Sequence, residues 1–559
     1  MIDKEQKIFK ASGKNMIKKY WTYIGMMALL LIAGGGYFGV TAIMDSLYDY
    51  RSPLAEEPPS PVDESREALT HRVVIVLVDA LREDTSLDPA VMPYLNELRL
   101  NAAVATMHSQ APSYSAPGWT TILTGAWPDI NDSQPANPPD DDSVRTFTQD
   151  DIFAAADRAG LKTAVSGFTW FEQMLANSGV DNGFYTPGED NTADEEVLEA
   201  AIPWLENGEY DLVLIHLDQV DYAGHHEGGA LGSGWAAAAR RVDSMLQTIA
   251  ANLDLEQDTL LVFSDHGQID RGGHGGQDPI TLVEPFVMIG AGVKPGQYAD
   301  IEMVDIAPTV AALLGTSIPA SNQGRGLTEM LALTDEQEAA FNDTLLAQQD
   351  QLLQDYQTVM GVDAAAEATT TSTASAMQIL HAQRLNKERL PRLVIAIVLA
   401  FIPTVLLYRK RSRKLGKLLG GAAISIATFH LIYAVIMRRS YSLSSLTSAT
   451  DFIFSTAIFM GISFLIGWMV SMLSLKGFST TPSSTAQSSF HFTFITLYLL
   501  ALPILWNFYR NGALITWTLP EFSSMFIGFL SIVQSMFVAI FGLLLMGVSA
   551  LVTSLKKKA

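Results

Sequence analysis

Residues 71–82 read HRVVIVLVDALR. From 71 to 78 the run is aliphatic and largely β-branched with no polar alternation, the pattern of a strand covered on both faces, and it stops at Asp79. Runs of the same kind recur at 161–166, 210–217, 259–264 and 284–289, with helical patterns between them at 150–159, 194–206 and 234–253. Strands alternating with helices predict an α/β domain with a mostly parallel central sheet flanked by helices. Ligands in such folds sit beyond the carboxyl ends of the strands. Asp305 is the expected N-cap of a further helix ending near Leu314, with Pro308 in its first turn and Gly315 past its end. The domain is expected over 71–333.

Outward from this domain the composition changes. Residues 21–44 carry no charge and are long enough to cross a bilayer core. A signal peptide would have an apolar region of only about 7 to 15 residues, so an uncleaved anchor is expected. Further spans are expected at 393–408, 418–437, 452–475, 490–509 and 525–552, a bundle within 392–559. Lys4, Lys7, Lys10, Lys14, Lys18 and Lys19 precede the anchor, which puts the N-terminus in the cytoplasm by the positive-inside bias. Arg409, Lys410, Arg411, Arg413, Lys414 and Lys417, then Lys476, then Lys556, Lys557 and Lys558 fall on the same side if the spans number six, whereas Arg438, Arg439 and Arg510 fall outside. The expectation is a multi-pass protein of the cell membrane with both termini cytoplasmic and the α/β domain extracytoplasmic. Residues 45–70 are Pro-rich and acidic, as in an extended spacer. Residues 334–391 read as a stalk, helical over 334–360 and low-complexity and mobile over 364–376.

The 559 residues carry a formal net charge of −23 although the membrane ends are basic, so the excess acid lies in the α/β domain and disfavours nucleic acid as a partner. There is no cysteine, hence no disulfide framework and no thiolate metal site. What gathers at the predicted strand ends is acid and imidazole. Asp79 follows the first strand, Asp221 and His225 follow the run ending near Leu217, and Asp265 and His266 follow the run at 259–264, with His274 close behind in RGGHGG. An aspartate after a strand is by itself usually a turn or cap residue. Three carboxylates and three imidazoles on three strand ends suit a borderline divalent metal such as zinc or manganese.

In order along the chain, VDALR (78–82), PSYSAP (112–117) leading to Leu123-Thr124-Gly125, Asp221-x-x-Gly-His225, SDHG (264–267) with His274-Gly275-Gly276, and VDIAPT (304–309) resemble the signature of the alkaline-phosphatase superfamily. Within it the chain is similar to type I phosphodiesterase/nucleotide pyrophosphatases and to phosphoethanolamine transferases of glycolipid-anchor synthesis. The likeness covers about residues 72–327. It implies one divalent ion on Asp79, Ser115, Asp265 and His266, a second on Asp221, His225 and His274, and Ser115 as a nucleophile that forms a phospho-enzyme. Two such ions against three carboxylates leave net positive charge for a phosphate and its transition state.

Ser113 is the nearby competitor of Ser115. The phosphodiesterases this chain resembles that cleave nucleotides carry an asparagine three residues after the nucleophile to hold a phosphoryl oxygen. Gly118 stands there in this chain, so the resemblance does not extend to nucleotide pyrophosphatase activity, and a backbone N–H or Arg82 is the candidate for that work. A sulfatase of this superfamily would need an arginine four positions after its modified residue, where this chain has Trp119. Asp218, His226 and Glu227 read as neighbours of the site. The expected activity is phosphodiester hydrolysis or phosphotransfer on a lipid or envelope-glycan substrate at the outer membrane surface. Head-group transfer, monoester hydrolysis and a non-enzymatic scaffold or transporter are the alternatives. Transport coupled to ions would leave ionisable groups in the spans, and His430, beside Asn507 and Gln534, is nearly the only one.

Overall fold

The structure is a computed structural model describing residues 2–62, 66–361, 373–409, 412–475 and 482–556. Nine strands form one sheet: β1 (Arg72–Val78), β2 (Ala103–His108), β3 (Thr163–Phe168), β4 (Asn182–Thr186), β5 (Leu212–Leu217), β6 (Asp258–Phe263), β7 (Val283–Gly290), β8 (Gly296–Gln297) and β9 (Ile301–Glu302). Their order is β4-β3-β5-β1-β6-β7-β2-β8, with β9 also on β2. The pairs from β4 to β6 are parallel, and β7 runs antiparallel to both β6 and β2. The mostly parallel sheet is as the sequence predicts.

The unbroken hydrophobic run of β1 has a direct cause. Val73, Ile75 and Leu77 face one core, built with the helices Ser115–Thr124, Ile152–Arg158 and Ile306–Leu314. Val74, Val76 and Val78 face another, built with Pro93–Leu98, Asn191–Asn207 and Ser233–Ala251. Alternate residues of a strand point to opposite faces, so a sheet covered on both sides needs apolar residues at every position. Leu77 pairs with His216 of β5 and with Phe263 of β6, which sets the ends of β5, β1 and β6 side by side.

Asp305 does not cap the helix Ile306–Leu314: its backbone is already helical. Its carboxylate instead accepts from the N–H groups of Glu302 and Arg325 at 3.0 and 2.8 Å, tying the preceding turn to a distant loop. Gly315 does end the helix, in a left-handed conformation.

Among the described residues, six helices are long and apolar enough to cross a membrane: Ile24–Tyr48, Thr373–Arg409, Arg413–Ile436, Ala449–Ser474, Thr485–Asn511 and Phe522–Val548. The first C-terminal span is part of a longer helix whose polar first half, with Arg384 and Glu388, rises beyond the expected start at 393. The spacer and stalk are packed against the rest of the protein. Tyr50, Ser52 and Leu54 are buried, and Arg51 pairs with Asp132 at 2.7 Å. The helix Asp335–Met360 lays Phe341 and Leu345 on the first core and Leu352, Tyr356 and Met360 on a small cluster with Leu54 and Leu380. Of the low-complexity segment, 373–376 begins a helix, and 364–372 lies outside the described residues, as do Lys410, Arg411, Lys476, Lys557 and Lys558.

Candidate active site

Beyond the ends of β5, β1 and β6 the acidic and imidazole groups converge. Asp79 follows β1 directly, and the next residue, Ala80, takes a left-handed φ of 59°, rare for a residue with a Cβ. That turn brings the Ala80 N–H to Asp265 Oδ1 at 3.2 Å, linking the ends of β1 and β6. Asp221 and His225 share one face of the helix Gln219–His226, being four residues apart. Ser115 opens the helix Ser115–Thr124 and is 6% exposed.

Two groups result. In the first, His266 Nε2 lies 3.4 Å from Asp79 Oδ1, 3.6 Å from Asp265 Oδ2 and 3.3 Å from Ser115 Oγ. In the second, His274 Nε2 lies 2.9 Å from His225 Nε2 and 3.5 Å from Asp221 Oδ1, and His225 Nε2 lies 3.4 Å from Asp221 Oδ2. Ligand atoms of Asp221, His266 and His274, and of Asp79, Asp265 and His266, lie within 4.8 Å of one another. Asp218 joins Asp79 and Asp221 in a third such group, so it borders the site, whereas His226 is exposed and stacks on Tyr222. Glu227 is exposed.

The donors are arranged as metal donors are. Asp79 Oδ1 and Asp265 Oδ2 are buried with no hydrogen-bond partner, a costly state for a carboxylate unless a cation answers it. The His274 Nδ1–H donates to the Ser113 carbonyl at 2.9 Å, which leaves Nε2 as a lone pair directed at His225 and Asp221. Burial lowers His266 to about 4 and His274 to about 3, so both rings are neutral. Burial, with the neighbouring Asp265 charge, raises Asp79 well above the carboxylate range, and burial lifts Asp265 to about 7. The imidazoles of His266 and His274 are neutral, the carboxyls of Asp79 and Asp265 resist ionising, and Asp221, against its burial, is favoured as the anion by the imidazoles beside it, so the cluster is short of positive charge. This donor set suits divalent cations.

The remaining candidates are placed as follows. Ser113 does not face the cluster as a free hydroxyl. It donates toward Gly276 O and Thr281 Oγ1 and accepts from Gly275 N at 2.9 Å, holding the His274 loop. Arg82 is engaged by Asp84 and, at 2.9 Å, by Asp270. The Gly118 N–H bonds to Tyr114 O at 3.0 Å, and a Cβ at Gly118 would come within 3.0 Å of Asp265, so the glycine lets the Ser115 helix lie against Asp265.

Three residues escaped the sequence reading. Asn137 donates its amide to Ser115 Oγ at 3.3 Å and accepts from Ala116 N at 3.1 Å, which puts a side-chain donor beside the candidate nucleophile. It stands in a Pro-rich stretch that gives no local signal. Gln268 donates to Asp221 through Nε2, and Gly224 leaves the room it occupies. His216 holds Asp79 Oδ2 at 3.0 Å. Its signal was present: it is the one polar side chain within the fully buried β5.

Residues 73–271 match the family model described as type I phosphodiesterase / nucleotide pyrophosphatase. GPI ethanolamine phosphate transferase 3, catalytic subunit, of Homo sapiens is 27% identical over 291 residues, covering 47% of this chain and 26% of that protein. GPI ethanolamine phosphate transferase 2 of Candida glabrata is 24% identical over 351 residues, covering 54% and 40%. The chain thus spans less than half the length of these curated relatives. Among solved structures it is similar to human ectonucleotide pyrophosphatase / phosphodiesterase 5, at 14% identity and a TM-score of 0.39 over 47% of this chain and 100% of that one. The alkaline phosphatase PafA is similar at 12% identity and a TM-score of 0.38, over 48% and 100%. Residues 73–271 of this chain are therefore similar to a type I phosphodiesterase / nucleotide pyrophosphatase domain.

Proposed function

We propose that the protein is a membrane-bound phosphodiesterase or phosphotransferase that works through a phosphoserine at Ser115 on a phosphodiester of a membrane lipid or envelope glycan. The observation that carries this reading is the convergence of Asp79, Asp265 and His266 into one group whose His266 Nε2 lies 3.3 Å from Ser115 Oγ, with Asp221, His225 and His274 adjacent and buried carboxylate oxygens unanswered. Asp79, Ser115, Asp265 and His266 would hold one divalent cation and Asp221, His225 and His274 the other, zinc or manganese by donor type. When bound, such ions supply charge neutralisation and polarise phosphoryl oxygen.

The chain's own groups do the rest. Ser115 Oγ sits at a helix N-terminus, where the backbone dipole favours a developing anion, and the Asn137 amide donates toward the same point. A bond from Ser115 Oγ to phosphorus forms as the ester bond to the leaving alcohol breaks, and the serine proton ends on that alcohol. Water or an acceptor hydroxyl then takes the phosphoryl group from the serine. Asp221 and His225 lie on the more exposed side, so substrate enters there. Because the relatives are named as ethanolamine phosphate transferases, head-group transfer is the first alternative to hydrolysis. The basic residues before the first span favour an extracytoplasmic domain.

The test uses the full chain in detergent or nanodiscs with zinc or manganese. Bis-p-nitrophenyl phosphate should be cleaved in preference to p-nitrophenyl phosphate, with loss of turnover under chelation and in Ser115→Ala, and phosphate trapped on Ser115 by mass spectrometry. Monoester preference would turn the reading to a phosphatase, and turnover surviving in Ser115→Ala would remove the phosphoserine.

A further inference from the structure

Segment 437–448 joins the spans Arg413–Ile436 and Ala449–Ser474 at the end of the bundle that faces the α/β domain, and it meets the loop bearing His274. Gly276 N donates to Ser444 Oγ at 3.1 Å, Gln277 N to Ser442 Oγ at 3.2 Å, Gln277 Nε2 to Tyr441 O at 3.0 Å and Arg271 Nη1 to Met437 O at 2.6 Å. Beside this seam is a cavity of about 60 Å³ lined in part by Arg271, Arg438, Arg439, Ser445, Thr447 and Asp451. A space of that size has room for a few waters or for a small oxyanion.

The charge there is unbalanced. Asp451 is taken by Arg439 at 2.6 Å, and Arg271 has committed one nitrogen to a carbonyl. Arg438 is exposed and has no partner among the described residues; its left-handed φ of 51° ends the span helix, where the Arg439 N–H donates to Tyr433 O at 3.1 Å, and turns its side chain away from the helix course. Arg438 also lies two residues past the apolar span end at Ile436, the depth at which bilayer phosphates sit. Arginine suits that ligand because its fork matches phosphate oxygens.

We propose that this seam is a second anion subsite that takes the phosphodiester of a membrane phospholipid and sets the lipid beside the His274 loop. Inorganic phosphate shares the chemistry, and the experiment separates the two. The deduction that the bound lipid is substrate rests on the function proposed above; the binding itself does not.

Full-length protein in detergent is titrated with dihexanoylphosphatidylethanolamine by native mass spectrometry, as parent, Arg438→Ala, Arg438→Lys and Arg438→Glu. Loss of one charge-assisted contact should raise the apparent Kd about 10-fold in Arg438→Ala and further in Arg438→Glu, with Arg438→Lys closest to the parent. Equal affinity in all four overturns the proposal, as does full displacement of the lipid by inorganic phosphate at equal concentration. In turnover, Arg438→Ala should raise KM for the short-chain lipid at constant kcat and leave bis-p-nitrophenyl phosphate cleavage unchanged. An equal fall for both substrates would overturn it by making Arg438 a support of the metal site. Failure of the catalytic reading is recognised separately, by turnover that survives in Ser115→Ala while the lipid titration keeps its Arg438 dependence.

Discussion

Replacing His216 with leucine isolates what orients the first metal group. His216 is 1% exposed, pairs in register with Leu77, and meets Trp119 edge-on at a ring distance of 4.7 Å. Burial lowers its pKa to about 3, so the ring is neutral and donates through Nε2 to Asp79 Oδ2 at 3.0 Å while Nδ1 has no partner. Among the described residues this is the one hydrogen bond to a carboxylate oxygen of Asp79, and Oδ1 has none. Leucine fills much of the same space but leaves a buried carboxylate oxygen without a donor, at a cost of about 1–3 kcal/mol to the apo protein. A ligand that has lost its outer hydrogen bond typically binds metal about 10- to 100-fold more weakly. Zinc affinity of the full chain is measured by chelator competition, with melting temperatures taken with and without metal, and His216→Gln tests whether a donor amide restores part of the loss. Zinc affinity within about twofold of the parent, alongside a lower melting temperature, would make His216 a packing residue and refute the reasoning.

Asn137→Ala removes the donor beside Ser115 Oγ and should lower kcat for a diester about 100-fold with little change in melting temperature; comparison of kcat and KM checks it. Gly276→Ala places a Cβ 1.7 Å from Ser442 Oγ, so the seam must open. A stability loss of about 1–3 kcal/mol and weaker zinc binding at His274 are expected, and unchanged zinc affinity would mean that the seam does not position that histidine. Asp151 caps the helix Ile152–Arg158 with its carboxylate buried, and burial raises its pKa from 3.8 to about 7. A raised carboxyl contributes stability below pH 4 that is lost as pH rises through about 7, a span worth at most about 4 kcal/mol. Asn caps equally well, so Asp151→Asn should gain on the parent progressively from pH 4 to pH 8 in denaturant titrations and match it in acid.

The parts legible in the sequence were those whose physics is local. β1, β3, β5, β6 and β7 announce themselves because runs buried on both faces are mostly apolar, with only scattered polar residues such as Arg72, His216 and Glu284. β2 carries half-exposed Thr106 and His108, and β4 is a half-buried edge strand of sequence NGFYT, so neither forms such a run. The candidate metal-binding residues stand out because they follow strand ends within motifs. Asn137 and Gln268 do not, since their partners lie 22 and 47 residues away in the chain and only the fold brings them together. His216 shows only as a polar residue in an apolar run, its partner Asp79 being 137 residues away.

The glycines around His274 show how a correct local reading can have a different partner. Glycines permit close approach, and here what approaches is protein. A Cβ at Gly273 would meet Ser444 O at 2.6 Å, and one at Gly275 would meet the Tyr114 ring at 2.1 Å. Tyr114 itself stands edge-on to His274 and packs against the apolar cluster of the membrane helices. Were the bundle an anchor alone, a free spacer would be enough to tether the domain. Instead Arg51 and Ser52 are fastened to Asp132, and Ser442 and Ser444 are hydrogen-bonded to the loop that bears His274. The α/β domain is therefore held at two places by segments that flank apolar helices, and one of these holds the backbone next to His274, so packing against the bundle fixes where that imidazole stands.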